Sequence, residues 1–171
     1  MTNLKITTTR TSIPFALQKP FAVEIMPHSH EVSLADINDD GNVDMVTANN
    51  LSKNISVLLD DGRGKFAMQT TFAVGASPVS VSVADVNGDG NADVVAANMG
   101  SDNVSVLLGD GRGNFAAQTT FTVDKSPESV GVADVNGDGK LDVVTVNSWG
   151  SNNVSVLLGD GRGSFAVQTT R

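Results

Sequence analysis

A nine-residue pattern, Asp-x-Asn-x-Asp-Gly-x-x-Asp, is written three times at a constant 49-residue spacing, beginning at Asp36, Asp85 and Asp134. Phe66, Phe115 and Phe165 keep the same period to within one residue. Self-similarity at a fixed period of this size marks an array of supersecondary units, each needing a neighbour to cover its apolar face. The order inside each copy is also constant: a Val-Ser-Val-Ala-Asp-like run, the acidic pattern, an Asp-Val-Val-like run, an Asn-bearing stretch, Val-Ser-Val-Leu-Leu, a Gly-rich Asp-Gly-Arg-Gly turn, then Phe-Ala-x-Gln-Thr-Thr.

Four short β-rich runs per copy follow from this order. Residues 31–36, 79–85 and 128–134 alternate apolar residues with Ser or Gly, the period of two that a strand requires. We name this strand A. Strand B, residues 43–49, 92–98 and 141–147, is β-branched and apolar on both faces, as expected of a strand sandwiched between sheets. Residues 55–59, 104–108 and 154–158 supply strand C, followed by turns whose glycines accept positive φ. Strand D, residues 66–72, 115–121 and 165–170, carries Thr and Gln and suits an outer strand facing water.

No segment sustains an apolar period of 3.6, so helices are expected to be nearly absent. An all-β array of four-stranded units of this length predicts antiparallel propeller blades rather than a sandwich. Ser80, Ser82 and Gly131 suit an innermost strand A crowded around an axis. The expected blades cover 31–73, 79–122 and 128–171. Residues 1–30 form an N-terminal segment with a partial blade, in which 15–23 echo strand D and 4–9 a degenerate strand C. Three full blades and part of a fourth are few for a closed ring, which typically takes about four to eight.

The chain carries 19 acidic against 11 basic residues, a formal charge of −8. That balance repels nucleic acid, and no basic patch with interleaved aromatics reverses it. Nine of the 19 acids are the Asp residues at positions 1, 5 and 9 of the three patterns, so the acidity is mostly a signature of those turns. There are no cysteines, which excludes disulfides and thiolate metal sites. No apolar run reaches the roughly 20 residues needed to span a bilayer, and residues 1–14 lack the apolar core of a signal peptide.

The chemistry of the repeated pattern is that of a hard cation. Calcium takes about six to eight oxygens, and a curling turn can offer side chains at alternate positions. The donors are Asp36, Asn38, Asp40, the Asn42 carbonyl and Asp44 in the first copy. Asp85, Asn87, Asp89, the Asn91 carbonyl and Asp93 follow in the second, then Asp134, Asn136, Asp138, the Lys140 carbonyl and Asp142 in the third. Three calcium sites are therefore expected. An EF-hand would need a Glu at position 12 and helical flanks. Position 12 is Thr47, Ala96 or Thr145, and both flanks are strands. A plain Asp/Asn/Gly turn without metal is the other reading of the same residues.

The block Val83 to Val95, followed by Val104 to Phe115, resembles the FG-GAP/VCBS repeats of integrin-α-like propellers, and the resemblance covers roughly residues 15–171. It implies a calcium-bearing β-propeller with the ions in the A–B hairpins on one face. It also implies binding of proteins or glycans, or service as a scaffold, without settling which.

The connections expected on the opposite face differ between copies. They hold Met99, His28 and His30, and Trp149, the single tryptophan. An exposed Trp among Asn and Ser can stack on a sugar ring or anchor a partner; alternatively it packs between blades. His28 and His30 offer a two-point metal or proton site, although two histidines in a loop without a third ligand are ordinary polar residues. No Ser/His/Asp arrangement presents itself, so a non-enzyme is expected.

Two functions follow. One is a calcium-stabilised module binding a glycan or protein on the variable face. The other is an assembly unit, a homo-oligomer with a dimer favoured or a part of a longer chain, that completes a ring. Turns of this kind suit the high calcium of an extracellular setting.

Overall fold

A computed structural model describes residues 31–149 and 152–167. Among them there is no helix, and twelve strands form three separate four-stranded antiparallel sheets. The first sheet contains β1 (Val32–Ala35), β2 (Asp44–Asn49), β3 (Asn54–Leu58) and β4 (Thr70–Ala73) in that order. The second contains β5 (Pro78–Ala84), β6 (Asp93–Asn98), β7 (Asn103–Leu107) and β8 (Thr119–Thr122). The third contains β9 (Pro127–Ala133), β10 (Asp142–Asn147), β11 (Asn153–Gly159) and β12 (Phe165–Val167). These are β-propeller blades, and the three sheets do not close into a ring. No helix of the described residues is long and apolar enough to cross a membrane.

Sequence order equals spatial order in every blade because each strand pairs antiparallel with the next one along the chain. The register is repeated too: Leu34 faces Met45, Val83 faces Val94 and Val132 faces Val143. Strand A is innermost as its small residues predict, with β5 lying against both β1 and β9. Ser80 shows why a small polar side chain belongs there. Its Oγ is buried and accepts the backbone N–H of Val130 on the next blade at 3.0 Å.

The core lies between sheets. Val46, Ala48, Ile55 and Val57 of blade 1 meet Val81, Val94, Ala96 and Leu107 of blade 2. One period later, Val95, Ala97, Val104 and Val106 of blade 2 meet Val130, Val143, Leu157 and Phe165 of blade 3. Each blade thus has a leading face that covers its predecessor and a trailing face that its successor covers. Each fully buried Val or Leu contributes about 1.5–3 kcal/mol, and this apolar packing is the main cohesion between blades.

Strand D departs from its expected bounds. In blades 1 and 2 it begins at Thr70 and Thr119, about four residues later than the aromatic start implied. Phe66 and Phe115 instead make isolated bridges to Asp60 and Gly109, and the chain then bows outward through exposed residues such as Met68. The rings of Phe115 and Phe165 pack between blades. Phe115 stands edge-on to Phe72 of the preceding blade, with centroids 5.1 Å apart, and Phe165 does the same to Phe121 at 5.4 Å. In blade 3 the described strand is Phe165–Val167. The partial blade expected in residues 1–30, including 15–23 and 4–9, lies outside the described residues.

Candidate functional site

The acidic pattern forms the A–B turn of every blade. In the second copy, Asp85 Oδ1 accepts the N–H groups of Gly88 and Asp89 at 2.7 and 3.1 Å, while its Oδ2 accepts that of Gly90 at 2.8 Å. Asn87 Oδ1 accepts the Asp89 N–H, and Asp89 Oδ1 accepts that of Asn91. Two consecutive reversals at positive φ, Gly88 at 76° and Gly90 at 88°, aim these N–H groups inward. In the first copy Asp39 takes the first of these positions at φ 58°, a conformation Asp tolerates better than most residues. The third copy repeats the network from Asp134 to Lys140.

Position 9 does something the sequence reading missed. Asp44, Asp93 and Asp142 are completely buried, and both carboxylate oxygens of each accept backbone N–H groups. Asp93 Oδ2 takes the Val86 N–H at 2.9 Å and Oδ1 takes the Gly109 N–H at 2.8 Å, joining the A–B turn to the C–D turn. Asp44 joins Ile37 to Asp60, and Asp142 joins Val135 to Gly159. The signal available was its place at the start of a largely buried strand, where a charge needs dedicated donors.

Electrostatics differ along the turn. Burial pushes the Asp93 carboxyl above its ordinary range; the Gly109 and Val86 N–H groups pull it back, and the charges of Asp89 and Asp85 push it up again. Asp89 is held below its ordinary range by the Asn91 N–H and the Asn87 side-chain amide. Asp40 is lowered by the Asn38 amide and Asp134 by the Gly139 N–H. The donors are all hard oxygens, and a cation beside Asp93 would relieve the repulsion from Asp85 and Asp89, so the donor chemistry fits calcium. In the conformation described, the carboxylates turn to backbone N–H groups, and no three His, Cys, Asp or Glu side chains among the described residues gather as a ligating cluster. Lys140 Nζ lies 3.8 Å from Asp138 Oδ2, which gives the third turn an internal counter-charge.

At the other end of the blades, a buried asparagine closes strand B. Asn49 Nδ2 donates to Asn54 Oδ1 and Ser56 Oγ, both at 2.7 Å. Asn98 and Asn147 repeat this with Asn103 and Ser105, and with Asn153 and Ser155. Thr47 and Thr145 complete the set by donating Oγ1–H to the oxygens of Asn49 and Asn147. Blade 2 has Ala96 at that position, and Asn98 Oδ1 is buried without a partner. Sequence reading saw only an Asn-rich stretch; the informative signal was Asn and Ser recurring in register inside apolar strands.

The variable loops lie on this end. Trp149 is 76% exposed, so it does not pack between blades. Its neighbour Ser148 donates its hydroxyl to Glu128, and Glu128 lines a cavity of about 500 Å³ with Glu31, Val79, Met99 and Ser129. Met99 and Glu128 thus line one cavity, and Ser148 next to Trp149 is bonded to Glu128. His28 and His30 lie outside the described residues.

The profile of the FG-GAP-like repeat matches residues 36–96 and 85–145, each stretch starting at the first Asp of an acidic turn. No curated protein sequence matches the chain. Among solved structures, an Agrocybe aegerita lectin that specifically recognises non-reducing terminal N-acetylglucosamine is similar at 23% identity with a TM-score of 0.59, over 86% of this chain and 40% of the lectin. The pore of the Photorhabdus luminescens Tc holotoxin is similar at 25% identity and TM-score 0.49, over 82% of this chain and 7% of that one. The V. cholerae biofilm matrix protein Bap1 is similar at 22% identity and TM-score 0.39, over 78% and 27%. The chain thus spans less than half the length of each.

Proposed function

The chain belongs to the FG-GAP-like repeat family, and we propose that it is a calcium-stabilised recognition module that binds glycans through the loops opposite its acidic turns. The observation that carries this reading is Trp149, a large aromatic surface 76% exposed on a loop whose neighbour Ser148 is bonded to Glu128. Holding an aromatic ring in water forgoes its burial energy, and the flat face it offers suits the apolar side of a sugar ring, with Ser, Asn and Glu groups nearby for hydroxyls. The cavity lined by Met99 and Glu128 offers a second contact zone, Glu128 being the partner of Ser148.

Calcium would be held by the side chains at positions 1, 3, 5 and 9 and the carbonyl at position 7 of each turn. It supplies charge neutralisation at the A–B hairpins and takes no part in ligand contact. The side chains of the chain itself do the rest. Asp44, Asp93 and Asp142 fix the turns, and Asn49, Asn98 and Asn147 fix the B–C ends from which the loops project. The reading is one of binding rather than catalysis.

A glycan array is the test, probed with the full chain and with Trp149→Ala. Terminal N-acetylglucosamine is the first sugar to try, because the similar lectin recognises it. The expected result is a defined set of bound glycans lost in the variant, with the melting temperature unchanged. Binding that survives Trp149→Ala, or no bound glycan at all, overturns the reading.

A further inference from the structure

The two ends of the array are complementary. The trailing faces of blades 1 and 2 are covered by the next blade, and Val104 and Ala97 are completely buried. On blade 3 the equivalent residues, Val154 and Val146, are 52% and 50% exposed. At the opposite end, Val81 and Val83 of blade 2 and Val130 and Val132 of blade 3 pack against a predecessor. Their equivalents on blade 1, Val32 and Leu34, are 51% and 60% exposed. Among the described residues the array therefore presents an uncovered leading face and an uncovered trailing face of the same interface that it builds twice internally.

A polar contact marks the register. Ser80 on the trailing side of blade 2 accepts the Val130 N–H of blade 3. One period earlier the position of Ser80 is Glu31, and one period later it is Ser129, again a serine and exposed. The residue that follows the register of Val130 back to blade 1 is Val32. From these equivalences we infer that a second copy of this chain docks head to tail, the Val32 and Leu34 face of one copy covering the Val146 and Val154 face of the other. Ser129 Oγ then accepts the N–H of Val32 of the second copy. The occupant is specified by repetition: the surface that covers these positions twice within the chain is the leading face of this same repeat.

Such a contact is heterologous, joining two different patches, and it generates a ring where the rotation closes and a filament where it does not. Two copies bring six described blades, inside the range of about four to eight at which propellers close. The inference is independent of the glycan reading, because its test contains no sugar.

The test uses the full chain in light scattering, alone and as variants. Wild type is expected at twice the 17.7 kDa mass of one chain, or at higher multiples if the array stays open. Val154→Glu and Leu34→Glu each place a charge in the contact while sitting on exposed positions, and each is expected to weaken self-association at least about tenfold. Mixed together they are expected to pair, since one retains a sound leading face and the other a sound trailing face. The chain has no cysteine, so Val32→Cys with Ser129→Cys is a clean cross-linking pair, and Ser80→Cys with Val130→Cys is its internal control. Oxidation is expected to link the first pair between molecules and the second within one. A mass of one chain at every concentration overturns the inference. So does an associated state in which the internal control closes and the Val32–Ser129 pair does not, because that association uses other surfaces.

Discussion

The N–H of Gly109 donates to Asp93 Oδ1 at 2.8 Å across sixteen residues, while the other oxygen of the same carboxylate holds Val86. One buried side chain therefore clamps both turns at one end of blade 2. Asp93→Ala leaves both donors without an acceptor in a dry site, a cost of about 2–4 kcal/mol. Denaturant unfolding in chelator is the measurement, because it reads the two backbone hydrogen bonds with no bound cation contributing. A loss that appears only when calcium is present would assign Asp93 to the cation instead.

Calcium removal should lower the melting temperature of the whole array. Each turn then keeps its Asp side chains at positions 1, 5 and 9 with no bound cation, only the third having Lys140 beside it, and each occupied site contributes about 2.7 kcal/mol at roughly a hundred times its Kd. Thermal melts across a calcium titration read this directly. A melt that is the same in excess chelator and in excess calcium removes calcium from the account.

Ala96 leaves Asn98 Oδ1 without the hydroxyl that Thr47 and Thr145 supply to Asn49 and Asn147. Ala96→Thr is expected to stabilise the protein by about 1 kcal/mol. Ala96→Val is the control, matching the shape of threonine without its donor. If the two variants melt together, the missing hydrogen bond is not what limits blade 2.

Acid should loosen the C–D turns. Asp110 is held below its ordinary value near 3.8 by the Asn114 side-chain amide and the Arg112 N–H. Asp160 is lowered by the Arg162 and Ser164 N–H groups. The folded carboxyls release their protons more readily than the unfolded ones. Their stabilisation is therefore complete above the unfolded pKa and is lost as pH falls through the folded value. Melting temperatures between about pH 5 and about pH 2 should fall less steeply for Asp110→Asn with Asp160→Asn than for wild type. Parallel curves would show that these turns carry none of the acid sensitivity.

The sequence made the blades legible because period and alternation are local properties. Val81, Val83, Val94 and Val95 could be assigned to strands A and B from spacing alone. Strand D was misplaced because Phe115 reads as a strand residue by propensity, whereas its ring is held edge-on by Phe72 of another blade, 43 residues away in sequence. Tertiary contact overrode local preference there. Asp93 was assigned to a cation from its position in the pattern, and its two backbone donors come partly from Gly109, which no local reading connects to it. Trp149 was open between burial and display until its exposure was known.

The clamps at Asp44, Asp93 and Asp142 and the asparagine ties at Asn49, Asn98 and Asn147 are each satisfied inside their own copy of the repeat. What passes between copies is chiefly apolar and tolerant of exchange. A blade is thus a unit that duplication can insert whole, its polar ties to the neighbouring copy confined to a few contacts such as Ser80 with the Val130 N–H and Ser155 with the Asp124 N–H. Loops such as the one bearing Trp149 can then diverge in one copy while the others hold the scaffold unchanged.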